Sequence, residues 1–237
     1  MTGYQDRVPR DRPPCGRLST AARAVADYVR GAPGTFIWLV ILLVTTLIMH
    51  HLPPHAQHRV IEWHSTNLHQ LARDPVRVLI SSALWLDGGH WWPYVFLYGL
   101  FHAPAERWLG SLRWLAVALI AHVGATYVSE GIVAYRIDHG LAPVSDRFVD
   151  DIGVSYALAG IQGVLSYVIA TPWRYAYMIG LIGFYLVSLI EHADFTACGH
   201  MSAVLLGLAC YPLTLGRAGS WDPLVTARWA WSLRRRG

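Results

Sequence analysis

The chain contains no lysine: all 19 of its basic residues are arginine, as a GC-rich genome would give. Charge as a whole is scarce. Charged residues make up 14% of the 237, against roughly 25% in a soluble domain, so the polar surface needed to face water on every side is missing. Cysteine is nearly missing too. Cys15, Cys198 and Cys210 are scattered without a C-x-x-C pair, which excludes a disulfide framework and a cysteine zinc site and leaves them as packing residues. The arginines gather at segment ends and form no basic patch, which excludes a nucleic-acid partner. Internal repeats are absent, and with them the paired broken helices of many secondary transporters.

What the chain has instead is apolar length, with 54% hydrophobic residues and a mean hydropathy of +0.33. A spanning helix needs about 20 mostly apolar residues. Six segments of about that length follow one another, near 35–52, 91–109, 112–129, 152–170, 173–190 and 196–215. The first carries no ionisable residue before His50 and reads as a retained span, because the stretch before it is too long for a signal-peptide n-region and no small-x-small site follows. Residues 1–33 read as an Arg- and Pro-rich tail, for which a solvated tail that satisfies topology is the plainer expectation and a short amphipathic helix at Leu18–Val29 the alternative; 34–216 read as the membrane domain and 217–237 as a basic tail.

Cytoplasmic flanks carry the excess of positive charge. An inside N-terminus leaves only Arg59, Arg73, Arg77, Arg136 and Arg147 on the outer side, and Glu130, Asp138, Asp146, Asp150 and Asp151 offset the last two. The expectation is an all-α membrane protein, a six-helix bundle in the plasma membrane with both termini cytoplasmic. The outer loop 53–90 is expected to lie partly in the interface, where the indoles of Trp63, Trp85, Trp91 and Trp92 favour the headgroup level.

Two polar motifs then fall at matching depths. Ser155 follows Asp151 by four residues and His200 follows Asp194 by six, which is roughly 6 and 9 Å of helical rise. Both spans enter from the outer side. Gly153, Ala157, Gly160 and Gly163 on one, and Gly199, Ala203 and Gly207 on the other, give small faces that let helices approach closely. An ionisable residue inside a membrane is expensive and marks function when a partner is at hand. Neutral imidazole within hydrogen-bond reach of a serine is the usual base for a hydroxyl nucleophile. A small packing residue, or one bonded back to its own helix, is the plainer role for a membrane serine.

These residues resemble the rhomboid family of intramembrane serine proteases. Gly153-Val154-Ser155-Tyr156-Ala157 is similar to the family's G-x-S-G segment, and Gly199-His200-Met201-Ser202-Ala203-Val204-Leu205-Leu206-Gly207 to its histidine helix, with Ala203 where a glycine is usual. Glu106-Arg107-Trp108-Leu109-Gly110 is similar to the E-x-x-x-G sequence at the inner end of the second span. Counting outward from Glu106 puts His90 where the family has the histidine of an H-x-x-x-N oxyanion pair, and Tyr94 where it has the asparagine. The resemblance, over about residues 35–215, implies peptide-bond hydrolysis in membrane-anchored proteins. Ser155 is then the nucleophile, His200 the base and then the acid, and the Ser155 backbone N–H with His90 the oxyanion site. No cofactor is implied, and the partners are transmembrane substrates or clients and the lipid bilayer. The chain departs from the pattern at Tyr156, at Tyr94, and in the first outer loop, where a Trp-Arg pair is not evident. Those departures define the alternative, a pseudoprotease that binds transmembrane helices without cutting them.

Other histidines compete for attention. His50, His51, His55, His58, His64 and His69 crowd the first outer loop, a tract that binds metals in some proteins but is joined here by no acid except Glu62, so surface histidines are expected. His122 in the third span, with His102 and Glu106 one turn apart in the second, would suit a proton-relay transporter. A cap on the inner end of the second span, made through interhelical hydrogen bonds, is the simpler expectation for His102 and Glu106.

Overall fold

Apolar runs punctuated by proline and glycine fold here as helices with short connections. The structure, a computed structural model, describes residues 15–86, 90–217 and 221–234. Among them there is no strand, only one isolated bridge between Ile169 and Trp221. The amphipathic segment forms α1 (Cys15–Arg30), followed by α2 (Pro33–His51). Three short outer-loop helices come next, α3 (Pro54–His64), α4 (Leu68–Arg73) and α5 (Pro75–Ser82). The bundle continues with α6 (Trp92–Leu97), α7 (Ala103–Leu109), α8 (Ser111–Asp138), α9 (Val154–Leu165), α10 (Trp173–His192) and α11 (Phe195–Ala209), and α12 (Pro223–Arg234) ends it. Residues 1–14 of the Arg- and Pro-rich tail, and 218–220 and 235–237 of the basic tail, lie outside the described residues.

Among the described residues three helices, α2, α8 and α10, are long and apolar enough to cross a bilayer, while α9 and α11 are shorter apolar helices. The segment expected at 91–109 is not one regular helix. A π-helical stretch at Tyr98–His102 joins α6 to α7, and the wider turn shifts the register so that Tyr98 and His102 both point inward, fully buried. The third segment differs in length. It runs to Asp138 instead of stopping at 129, because Ser129 and Glu130 turn into the protein and are buried there. In the outer loop Trp63 is exposed and Trp85 half-buried, stacked on His64. His50, His51, His55 and His58 are exposed, and no cluster of metal-ligating side chains forms among the described residues.

The end of the bundle at the turn between α7 and α8 is organised by Glu106. A helix leaves its first N–H groups without intrahelical acceptors, and those of α2 are met by this carboxylate. Glu106 accepts hydrogen bonds from the backbone N–H groups of Gly34 (2.9 Å) and Thr35 (2.7 Å) and from the Thr35 hydroxyl (2.8 Å). The Ser111 hydroxyl adds a fourth at 2.6 Å. Glu106 therefore acts through interhelical hydrogen bonds, as expected, and what those bonds cap is the start of α2; the negative charge also suits the positive end of the α2 dipole. His102 makes a different contact, accepting from the Trp114 indole at 3.1 Å. Gly110, at φ 82°, supplies the left-handed backbone that reverses the chain between α7 and α8.

The core is a three-helix unit of α8, α9 and α11. At its centre Gly160 and Gly207 touch backbone to backbone: a Cβ on Gly207 would land on the Gly160 carbonyl. A Cβ on Gly163 would stand 2.5 Å from the Val204 carbonyl. In lipid, where apolar side chains gain nothing by meeting each other, such close backbone approach supplies the packing energy. Gly207→Ala should cost about 1–3 kcal/mol as an overpacking change. Gly180→Ala is the control, since a Cβ there meets nothing. Thermal unfolding in detergent should show the first variant melting well below the wild type and the second not.

Candidate functional site

Ser155 occupies the first turn of α9. The chain enters that helix at Gly153, whose carbonyl accepts from the Tyr156 N–H at 3.1 Å, and the Ser155 N–H has no acceptor within the helix. On the neighbouring helix, Asp194 caps α11 by accepting from the Ala197 N–H at 2.7 Å, and His200 follows in the second turn. The glycine contact deeper in the bundle holds the two helices together, and at this level His200 Nε2 lies 2.9 Å from Ser155 Oγ. With the imidazole protonated on Nδ1, the serine hydroxyl donates to Nε2. Both residues are half-buried, screened from bulk solvent yet within reach of a partner. Such an arrangement has the geometry for a serine to pass its proton to a base.

The surroundings of the imidazole are aromatic. The Tyr156 ring meets it edge to face, centroids 5.0 Å apart at 68°, and the Tyr185 ring of α10 lies 6.0 Å away at 30°. Each tyrosine is tied down. The Tyr185 hydroxyl donates to Gln162 Oε1 at 2.7 Å. The Tyr156 hydroxyl stands 3.1 Å from both carboxylate oxygens of Asp151. Asp151, in the loop ahead of α9, is buried. Burial pushes its carboxyl up to about 6, against the opposing pull of the hydroxyls of Tyr156, Ser129 and Thr66. Its backbone is held as well, the N–H donating to the Ser65 hydroxyl at 2.7 Å and the carbonyl accepting from the Thr66 N–H at 2.9 Å.

The remaining sequence-predicted residues fall in different places. Ala203 and Gly207 line the α11 face that packs on α9, as Gly160 and Ala121 approach from the other side. Glu106 and Gly110 sit at the end by the turn between α7 and α8, where they shape the bundle. Tyr94 is half-buried and packs T-shaped against Tyr98, centroids 6.1 Å apart, at the edge of a cluster that contains Val154, the neighbour of Ser155. His90 is exposed just ahead of α6. His102 is remote from solvent, walled by Trp38, Tyr98 and Trp114.

Three residues at the site were not assigned from the sequence. His122 of α8 is buried, and its ring packs where a Cβ on Gly153 would stand; its Nε2 lies 2.8 Å from the Leu79 carbonyl. Asp151 and Tyr185 are the others. The clue for Asp151 was a tyrosine five residues on, at the position where the family resemblance leads one to expect glycine. Nothing in the sequence marked Tyr185.

A bundle of apolar helices that brings a serine and a histidine together below one surface defines a helical membrane protein with the polar pair at its heart. Within that class, the family described as "Rhomboid-like protein" matches residues 27–220, and the chain belongs to it. No curated protein and no solved structure gives a significant match.

Proposed function

We propose that this rhomboid-like protein is an intramembrane serine protease that cuts membrane-anchored proteins with a Ser155–His200 dyad. The observation that carries the reading is the 2.9 Å contact between Ser155 Oγ and His200 Nε2. Ser155 Oγ attacks the scissile carbonyl carbon as its proton passes to His200 Nε2. His200 then returns that proton to the leaving amine, and water, deprotonated by His200 in turn, hydrolyses the acyl-enzyme. Charge developing on the carbonyl oxygen is met by the Ser155 N–H at the helix N-terminus, a place where backbone donors already favour negative charge. His90 and the Tyr94 phenol are the side-chain donors of this reading.

The same proposal has six spans, α6 to α7 forming one interrupted span, with both termini in the cytoplasm. The arginine distribution supports it. Reporters fused after Arg113 and Arg174 should read as cytoplasmic and one near Asp146 as external; an external signal at Arg113 would put the dyad on the opposite face. A scaffold that binds client helices without cutting them is the second reading, favoured by the tyrosine at 94 in place of an amide donor.

Cleavage of a single-span reporter in proteoliposomes separates the two. Ser155→Ala and His200→Ala should each reduce cutting by at least about 10³-fold, and together by no more than either alone, because the pair acts as a unit. A Ser155→Ala protein that still cuts would contradict the dyad. A wild type that retains reporter helices intact would leave the scaffold reading standing.

A further inference from the structure

Tyr156 stands directly after the nucleophile, where its bulk has to be accommodated, and the structure makes room for it. A Cβ on Gly199 would stand 2.6 Å from the Tyr156 ring and hydroxyl, so the residue before His200 has no side chain and the phenol fills the space. The ring is fully buried, with its edge or face set against the imidazole at 5.0 Å. Its hydroxyl is centred on the Asp151 carboxylate, 3.1 Å from each oxygen. Asp151 is in turn fixed by Ser65 and Thr66 of the outer loop and flanked by the Ser129 hydroxyl at 3.5 Å. A chain of contacts therefore runs Asp151, Tyr156, His200, Ser155. A histidine on a helix has several staggered rotamers open to it, and the one held here brings Nε2 to 2.9 Å from Ser155 Oγ.

We propose that Tyr156, anchored on Asp151, is a positioning residue that holds the His200 imidazole in the rotamer facing Ser155. The inference rests on the dyad reading for its effect on rate but not for its effect on the imidazole. Tyr156→Phe keeps the ring and removes the anchor. Asp151→Ala removes the anchor from the other side, and Asp151→Asn keeps an oxygen that accepts from the phenol. Since an aromatic contact of this kind is a modest one, releasing it should change turnover by a modest factor.

The test joins reporter kinetics in proteoliposomes to ¹⁵N spectra of the histidine side chains, with the His200 signals assigned by their loss in His200→Gln. Tyr156→Phe and Asp151→Ala should lower kcat about three- to tenfold with KM unchanged, and Asp151→Asn should stay within about twofold of wild type. In the spectra, the His200 signals should shift or broaden in Tyr156→Phe and Asp151→Ala and keep their wild-type positions in Asp151→Asn. His200 signals unmoved in folded Tyr156→Phe, or Asp151→Asn as impaired as Asp151→Ala, would overturn the proposal. If the wild type does not cut, the protease reading falls while the spectra still decide whether Tyr156 positions His200. If Tyr156→Phe does not fold, the comparison of the two Asp151 variants decides it.

Discussion

The structure depends on one close contact, the meeting of α9 and α11 at Gly160 and Gly207. Carbonyl and Cα touch there with no side chain between them. Helices that pack through leucines stand 8–10 Å apart, too far for a short serine hydroxyl on one to reach an imidazole on the other without a change of level. Small residues remove that spacing. Ala121 of α8 closes on Gly160 from a third direction, so the three helices lock as a unit and carry Ser155 and His200 to one depth. The lipid-facing helix α10 buries no residue fully; it contributes the Tyr185 wall and leaves the locking to the other three.

A second constraint follows from putting carboxylates into such a bundle. A charge in hydrocarbon is costly unless it is paired or hydrogen-bonded. Glu106 meets that cost with four donors from two helices, and in doing so fastens the start of α2 to the turn between α7 and α8. Asp151 meets it at the opposite end with the Tyr156 phenol and, at 3.5 Å, the Thr66 and Ser129 hydroxyls, while Ser65 and Thr66 also hold its backbone. One acid thus closes one end of the bundle. The other ties the outer loop to the beginning of α9, immediately ahead of the serine.

The pairing of Ser155 with His200 was legible because both helices announce themselves by glycine and alanine at helical spacing, and because equal depth follows from simple rise per residue. A solvated tail is the plainer reading of residues 18–29, yet a helix forms there as Cys15–Arg30; the local period was visible, but the abundance of arginine weighed against it. Contacts between segments distant in sequence were not legible. Interhelical hydrogen bonds from Glu106 are expected from its place at the end of a span, but the donors that supply them lie about seventy residues earlier, and only the fold brings them together. The π-helical stretch at Tyr98–His102 carries no period that a sequence could display, since Pro93 and Pro104 already disturb the pattern. Tyr156 stood out in the sequence as a departure from the family motif; its role as a ring between His200 and Asp151 required the position of Gly199 opposite it. His122 has no role assigned from the sequence, because its burial against Gly153 depends on the packing of α8 on the entry to α9.

The central claim is that helix packing turns an ordinary serine into an activated one. Covalent labelling by a fluorophosphonate, with the modified peptide mapped by mass spectrometry, tests it without any knowledge of the natural substrate, because the reagent reports nucleophilicity and not recognition. The account predicts a single adduct on Ser155 that disappears in His200→Ala protein shown to be folded by its melting profile. Absence of an adduct on the folded wild type, or an adduct on Ser155 that survives His200→Ala at an undiminished rate, would contradict it.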